Sequence, residues 1–165
     1  MPFLVLFLVA LLTAVDQFIK MAVITNLKPI GTIPFIPGFL HFTYIENTGV
    51  AFGMLSGLSW LILALTAVTL IALMVWVFRY KHHTFLSYAA STLIVAGGIG
   101  NMIDRVAFGY VVDYIYFQFF PYVFNFADCC VVIGAVLFGV WYLFIKDKRE
   151  QGKALKEEDD GTAES

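Results

Sequence analysis

Four runs of about 20 apolar residues leave this chain few ways to fold. A helix needs roughly 20 mostly apolar residues to cross the hydrocarbon of a bilayer. The runs from about Phe3 to Ile24, Leu58 to Phe78, Phe85 to Ile103 and Ala127 to Ile145 all qualify. Each is apolar around its whole circumference, as expected of a helix surrounded by lipid. Charge composition agrees, since only 13% of residues are charged against roughly 25% in soluble domains. The first 145 residues hold five Lys/Arg and five Asp/Glu, too few to cover a water-exposed surface. The expected fold class is a membrane protein with an all-α core of four transmembrane helices.

The first run reads as a retained helix. It lacks a basic leader and an Ala-x-Ala site, and it carries Asp16 and Lys20 where a signal peptide would be cut. Orientation follows from Lys and Arg, which favour the cytoplasmic side. Arg79 and Lys81 sit between the second and third runs, and Lys146, Lys148, Arg149, Lys153 and Lys156 follow the fourth, leaving Lys20, Lys28 and Arg105 opposite. Both termini are therefore expected in the cytoplasm. Residues 1–145 form one membrane domain, and residues 146–165, which are charged and polar, form a disordered cytoplasmic tail. A net charge of −2 with no basic patch argues against a nucleic-acid partner. Adjacent Cys129 and Cys130 match neither a disulfide framework nor a zinc site, and read as small helix-packing residues.

In that orientation all five acidic residues before the tail, Asp16, Glu46, Asp104, Asp113 and Asp128, lie toward the outer side. Asp104 is expected to close the third span and Asp128 to open the fourth. Ionisable groups at membrane depth are costly and mark function. The first outer loop is punctuated by Pro29, Pro34 and Pro37. Within it Leu40, Phe42 and Tyr44 alternate with His41 and Thr43, a period of two that predicts strand. A small extracytoplasmic β-sheet over about residues 32–55, lying at the membrane surface, is the expectation, with His41 a polar strand residue and not a ligand.

Polar clusters interrupt the apolar background at Asp16-Gln17-Phe18-Ile19-Lys20 and at Asn47-Thr48-Gly49-Val50-Ala51-Phe52. A third runs from Gly97-Gly98-Ile99-Gly100-Asn101 through Asp104-Arg105 and Gly109 to Val111-Val112-Asp113, and a fourth is Phe124-Asn125-Phe126-Ala127-Asp128. In order and spacing, from about residue 10 to 145, these clusters resemble the lipoprotein signal peptidases (signal peptidase II). Ala96, Val50 and Tyr114 depart from that pattern, where glycine, alanine and phenylalanine are usual; none is a catalytic group.

The resemblance implies an aspartyl endopeptidase of the bacterial cytoplasmic membrane, with Asp113 and Asp128 as catalytic pair near the extracytoplasmic face. Its implied substrate is a diacylglyceryl-modified prolipoprotein cut before the lipidated cysteine, with no metal or cofactor and a monomeric enzyme. Asn47, Gly49, Asn101, Arg105 and Asn125 would bind substrate or support the site, and Asp16, Lys20 and Asp104 would be structural.

The residues support the pairing. Asp113 lies ten positions past the third run and Asp128 opens the fourth, so both can meet at one depth. Two carboxylates in a low-dielectric site cannot both ionise easily, and one proton is shared. The ionised partner can then activate a water while the protonated one polarises the scissile carbonyl. Taken alone, Asn125-x-x-Asp128 reads equally as a helix N-cap with an acidic first turn. Asp16 and Lys20, four apart, can pair on one helix face, and Arg105 can extend toward lipid headgroups. The glycines at 97, 98 and 100 suit close helix packing. The segment from Asp113 to Asn125, rich in aromatics, is expected to form a lid facing the Phe39–Phe52 wall. The alternative from another class is a small transporter or ion-conducting subunit using the same carboxylates.

Overall fold

The computed structural model describes residues 2–49 and 59–146. Helix α1 covers Pro2–Asn26, α2 Ser59–Arg79, α3 Phe85–Phe108 and α4 Phe126–Trp141, with a π-helical turn at Tyr142–Lys146 continuing α4. All four helices are long and apolar enough to cross a membrane. Strands β1 (Thr32–Ile36) and β2 (Leu40–Asn47) lie between α1 and α2, and β3 (Val111–Phe117) and β4 (Val123–Phe124) between α3 and α4.

Helix α3 is the central element. Half of its apolar window is buried, against about a fifth for each of the others, and it packs against α1, α2 and α4. Missing side chains permit these approaches. A Cβ on Gly97 would collide with the carbonyl of Ala127, and one on Gly134 would come within 2.9 Å of the carbonyl of Ala90. Small residues let helix backbones touch where lipid offers no hydrophobic drive to associate. A core of Val5, Val9, Leu70, Val77, Val95 and Ala96 fills the space among α1, α2 and α3.

The third helix runs further than its apolar pattern suggested. It continues past Ile103 to Phe108, so Asp104 and Arg105 lie inside its last turns and do not close it. The stop is Gly109, at φ 80°, whose N–H donates to the carbonyl of Arg105; only glycine adopts that left-handed conformation without penalty. Asp104 is fully buried, so its polarity faces the bundle interior and does not mark a helix end.

The sheet also exceeds the expected one. It is antiparallel in the order β1-β2-β3-β4, so half of it comes from the chain between α3 and α4. The segment expected as an aromatic lid is strand at both ends: it starts in β3, paired along β2 from Leu40↔Phe117 to Asn47↔Val111, and ends in β4, paired back on β3. Its hydrophobicity supplied no period-two signal, because Val111 to Tyr114 are all buried. The β region expected at 50–55, the start of the second span and the tail at 147–165 lie outside the described residues.

The α3–α4 contact gives a direct test. Gly97→Ala should lower the unfolding temperature in detergent, since overpacking costs about 1–3 kcal/mol. Gly139→Ala, where a new Cβ meets nothing within 4 Å, should leave stability unchanged or raise it by up to about 1 kcal/mol, since alanine favours a helix over glycine. Equal effects of the two substitutions would contradict the packing.

Candidate active site

The sheet and the adjoining helix ends bring the polar clusters together. Asp113 sits in β3, 2% exposed. Its carboxylate accepts from Asn47 Nδ2 at 2.8 Å and from Asn125 Nδ2 at 2.6 Å. The register explains the first contact. Asn47 pairs with Val111, and residues two apart in a strand share a face, so Asn47 is the diagonal neighbour of Asp113. Burial, reinforced by the neighbouring charge of Asp128, pushes the Asp113 carboxyl up to about 7 against the donation from the two asparagines.

Asp128 lies in the first turn of α4. Its Oδ1 accepts from Asn101 Nδ2 at 2.7 Å, and its Oδ2 accepts from the backbone N–H of Asn125 at 3.2 Å. Its own N–H donates to Asn125 Oδ1 at 2.8 Å. Asn125 and Asp128 therefore form a reciprocal capping box at the start of α4. The N-cap arrangement and convergence on Asp113 are not alternatives. Asn125, fully buried, caps the helix through Oδ1 while its Nδ2 reaches Asp113 and, at 3.1 Å, Asn101 Oδ1.

Beneath this pair lies a second layer of buried charge. Lys20 Nζ is 3.0 Å from Asp16, 2.9 Å from Asp104 and 2.9 Å from Asn101 Oδ1, and all three charged side chains are at most 2% exposed. Asp16 and Lys20 do pair four residues apart, with Asp104 as a second anion on the same ammonium. Gln17 Nε2 donates to both carboxylates, at 3.2 Å to Asp16 and 2.9 Å to Asp104. The remaining carboxylate oxygen positions take backbone N–H groups, Ala127 onto Asp16 at 3.1 Å and Val112 onto Asp104 at 3.0 Å. Among the described residues no buried side-chain polar atom lacks a partner.

Arg105 turns inward and not toward headgroups. Its guanidinium donates to the carbonyl of Gly49 at 3.2 Å, and the Gly49 N–H donates to Asn47 Oδ1 at 3.0 Å. One arginine thus fixes the turn that aims Asn47 at Asp113. All ten polar positions singled out from the sequence join one hydrogen-bonded network.

Two participants escaped the sequence reading. Gln17 was overshadowed by its charged neighbours, although an amide inside an apolar span is itself a signal. Tyr114 stands where phenylalanine is usual, and its hydroxyl accepts from the N–H of Phe126 at 3.2 Å. The first three N–H groups of α4 are consequently taken by Tyr114, Asp16 and Asn125, donors that a helix start otherwise leaves open. His41, by contrast, lies on the sheet against Gln118. No group of three or more His, Cys, Asp or Glu among the described residues is placed to hold a metal ion.

Comparison with known proteins bears on this geometry. The family model described as signal peptidase (SPase) II matches residues 8–144. The chain is 42% identical to a lipoprotein signal peptidase of Caldanaerobacter subterraneus, covering 83% of this chain and 94% of that one. It is 39% identical to one of Halothermothrix orenii, covering 90% and 98%. A solved bacterial membrane enzyme, determined by the in meso method at 2.3 Å resolution, superposes with a TM-score of 0.75 at 33% identity, over 87% of this chain and 88% of that one.

The raised carboxyl of Asp113 makes stability depend on pH. The folded protein holds this proton up to about 7, whereas an unfolded chain releases it near 3.8. The contribution is full below the unfolded value and lost as pH rises through the folded one. From about pH 5 to pH 8 wild type should lose on the order of 2 kcal/mol that an Asp113→Asn variant does not lose. Parallel pH profiles of unfolding would contradict the assignment.

Proposed function

The chain belongs to the signal peptidase II family, and from that premise we propose that Asp113 and Asp128 are the catalytic pair of an aspartic endopeptidase that removes signal peptides from prolipoproteins. The observation that carries this reading is Asn125. A single buried amide touches Asp113 through Nδ2 while its backbone and Oδ1 hold Asp128, so the two carboxylates are locked to one residue. With one proton between them, the ionised carboxylate takes a proton from a bound water. That water then attacks the scissile carbonyl. The protonated carboxyl donates to the developing oxyanion, the carboxyl that took the water's proton passes it to the leaving nitrogen, and collapse of the tetrahedral intermediate expels the amine. Asn47, Gly49, Asn101, Arg105 and Asn125 position these groups and the substrate backbone, with Asn47 kept on Asp113 by the Arg105–Gly49 contact. The transporter alternative gives way to family membership.

The site faces the extracytoplasmic side of a bacterial cytoplasmic membrane, with both termini inside. Arg79 closes α2 beside the start of α3, at the opposite end of the bundle from Asn101 and Asp104, and the sequence after α4 is rich in Lys and Arg, which prefer the cytoplasm. Residues 1–145 act as one domain, and a monomer suffices because one chain supplies both aspartates. The substrate is a diacylglyceryl-modified prolipoprotein cut before its lipidated cysteine. Its apolar signal segment lies among the helices, and its acyl chains lie beside the sheet. Exposed Phe35, Phe39 and Phe119 suit the membrane interface, where aromatic side chains are favoured.

Purified protein should cleave a diacylglyceryl-modified prolipoprotein in detergent. Asp113→Asn and Asp128→Asn should each lose about 10²–10⁴-fold in rate while remaining folded. Asn47→Ala, which removes one charge-assisted hydrogen bond, should lose about tenfold or more. Undiminished cleavage by either aspartate variant would overturn the pair.

A further inference from the structure

The ammonium of Lys20 sits between two carboxylates that do more than neutralise it. Asp16 Oδ1 accepts from the N–H of Ala127, the residue immediately before Asp128. Asp104 Oδ2 accepts from the N–H of Val112, the residue immediately before Asp113. Each buried anion grips the backbone one position ahead of one member of the catalytic pair, one on α4 and the other on β3. Lys20 Nζ joins the two anions at 3.0 and 2.9 Å. Its third partner, Asn101 Oδ1, belongs to the side chain whose Nδ2 holds Asp128. Gln17 closes the same triangle from the adjacent position on α1.

We infer that Lys20 is a positioning residue for catalysis: through Asp16 and Asp104 it fixes the separation of the backbone segments that carry Asp128 and Asp113. This rests on the assignment of those aspartates as the catalytic pair. Helix α4 and strand β3 are otherwise linked near the site by Asn125, the N-cap of α4, and by the Tyr114 hydroxyl of β3. The hub supplies an independent fixed point on α1, outside both elements. Displacing a reacting group by about 1 Å lowers a rate by about 100-fold, so a brace of this kind acts on kcat before it acts on substrate affinity.

The same ammonium acts on the pair through space. Around Asp113 stand Asp128 from α4, Lys20 from α1 and the neutral amides of Asn47 and Asn125, with the Arg105 guanidinium of α3 in electrostatic reach; Asp16 of α1 and Asp104 of α3 lie on the Lys20 ammonium. Lys20 is a cation that favours the ionised form of Asp113. Its removal should therefore carry the alkaline limb of the pH–rate profile to higher pH, which a residue that merely holds helices together would not do.

The test is cleavage of a diacylglyceryl-modified prolipoprotein by full-length Lys20→Met in detergent, measured as kcat and KM across pH. The expected result is a fall in kcat of about 100-fold, KM within about threefold, and an alkaline limb displaced upward. Should Lys20→Met fail to accumulate folded, the neutral variant Asp16→Asn/Lys20→Met/Asp104→Asn removes the buried charges together, and kcat is expected to fall similarly at little-changed KM. A folded variant within about tenfold of wild-type kcat, or one whose loss lies in KM alone, would overturn the inference. Asp113→Asn and Asp128→Asn in the same assay separate the two layers. If they still cleave, the catalytic assignment fails; if they are inactive while Lys20 variants are normal, only the positioning role fails.

Discussion

A lysine ammonium buried among apolar helices is tolerable only if its charge is met at once, and that requirement organises the end of the bundle where the polar clusters gather. Lys20 is met by Asp16 and Asp104, each essentially inaccessible. Two anions need more than one cation, so their remaining capacity is filled by Gln17 and by the N–H groups of Ala127 and Val112. Removing one member of such a set leaves an uncompensated buried charge, costing about 3–5 kcal/mol. The arrangement therefore has one geometry, and α1, α3, α4 and β3 are all parties to it. Electrostatic satisfaction, more than apolar packing, fixes where the pieces of the site stand.

The layer of Asp113 and Asp128 above it is built on a different rule. Among the described residues Asp113 forms no ion pair; its hydrogen-bond partners are the neutral amides of Asn47 and Asn125. Desolvation then outweighs hydrogen bonding, and its proton is held to about 7. Asp16 and Asp104 lie equally deep but share the Lys20 ammonium. Arg105, which could have provided a counter-ion, is spent on the carbonyl of Gly49.

The helices and the residues of the hydrogen-bonded network were legible because apolar length and isolated polar residues are local signals. Four spans emerge from run length alone, and Asp16–Lys20 from a four-residue spacing. What stayed hidden was long-range. The β3 strand has both faces buried at Val111 to Tyr114, so no alternation betrays it. Asp104 looked like a helix end because the glycine that stops α3 lies five residues further on. The inward turn of Arg105 depends on Gly49, 56 positions away, and its sequence reads the same as that of a residue extending to headgroups. Tyr114 differs from the family pattern by one hydroxyl, whose partner is visible only once α4 is in place.

The proposed catalytic pair requires that Asp113 and Asp128 hold one proton between them at neutral pH. Difference infrared spectroscopy of the protein with isotope-labelled aspartate, titrated from about pH 5 to about pH 9, observes that proton directly. A shared proton gives a protonated-carboxyl stretch that disappears with a midpoint near 7 and is absent from Asp113→Asn. A spectrum with only ionised carboxylates throughout, or a band that survives in Asp113→Asn, would contradict it.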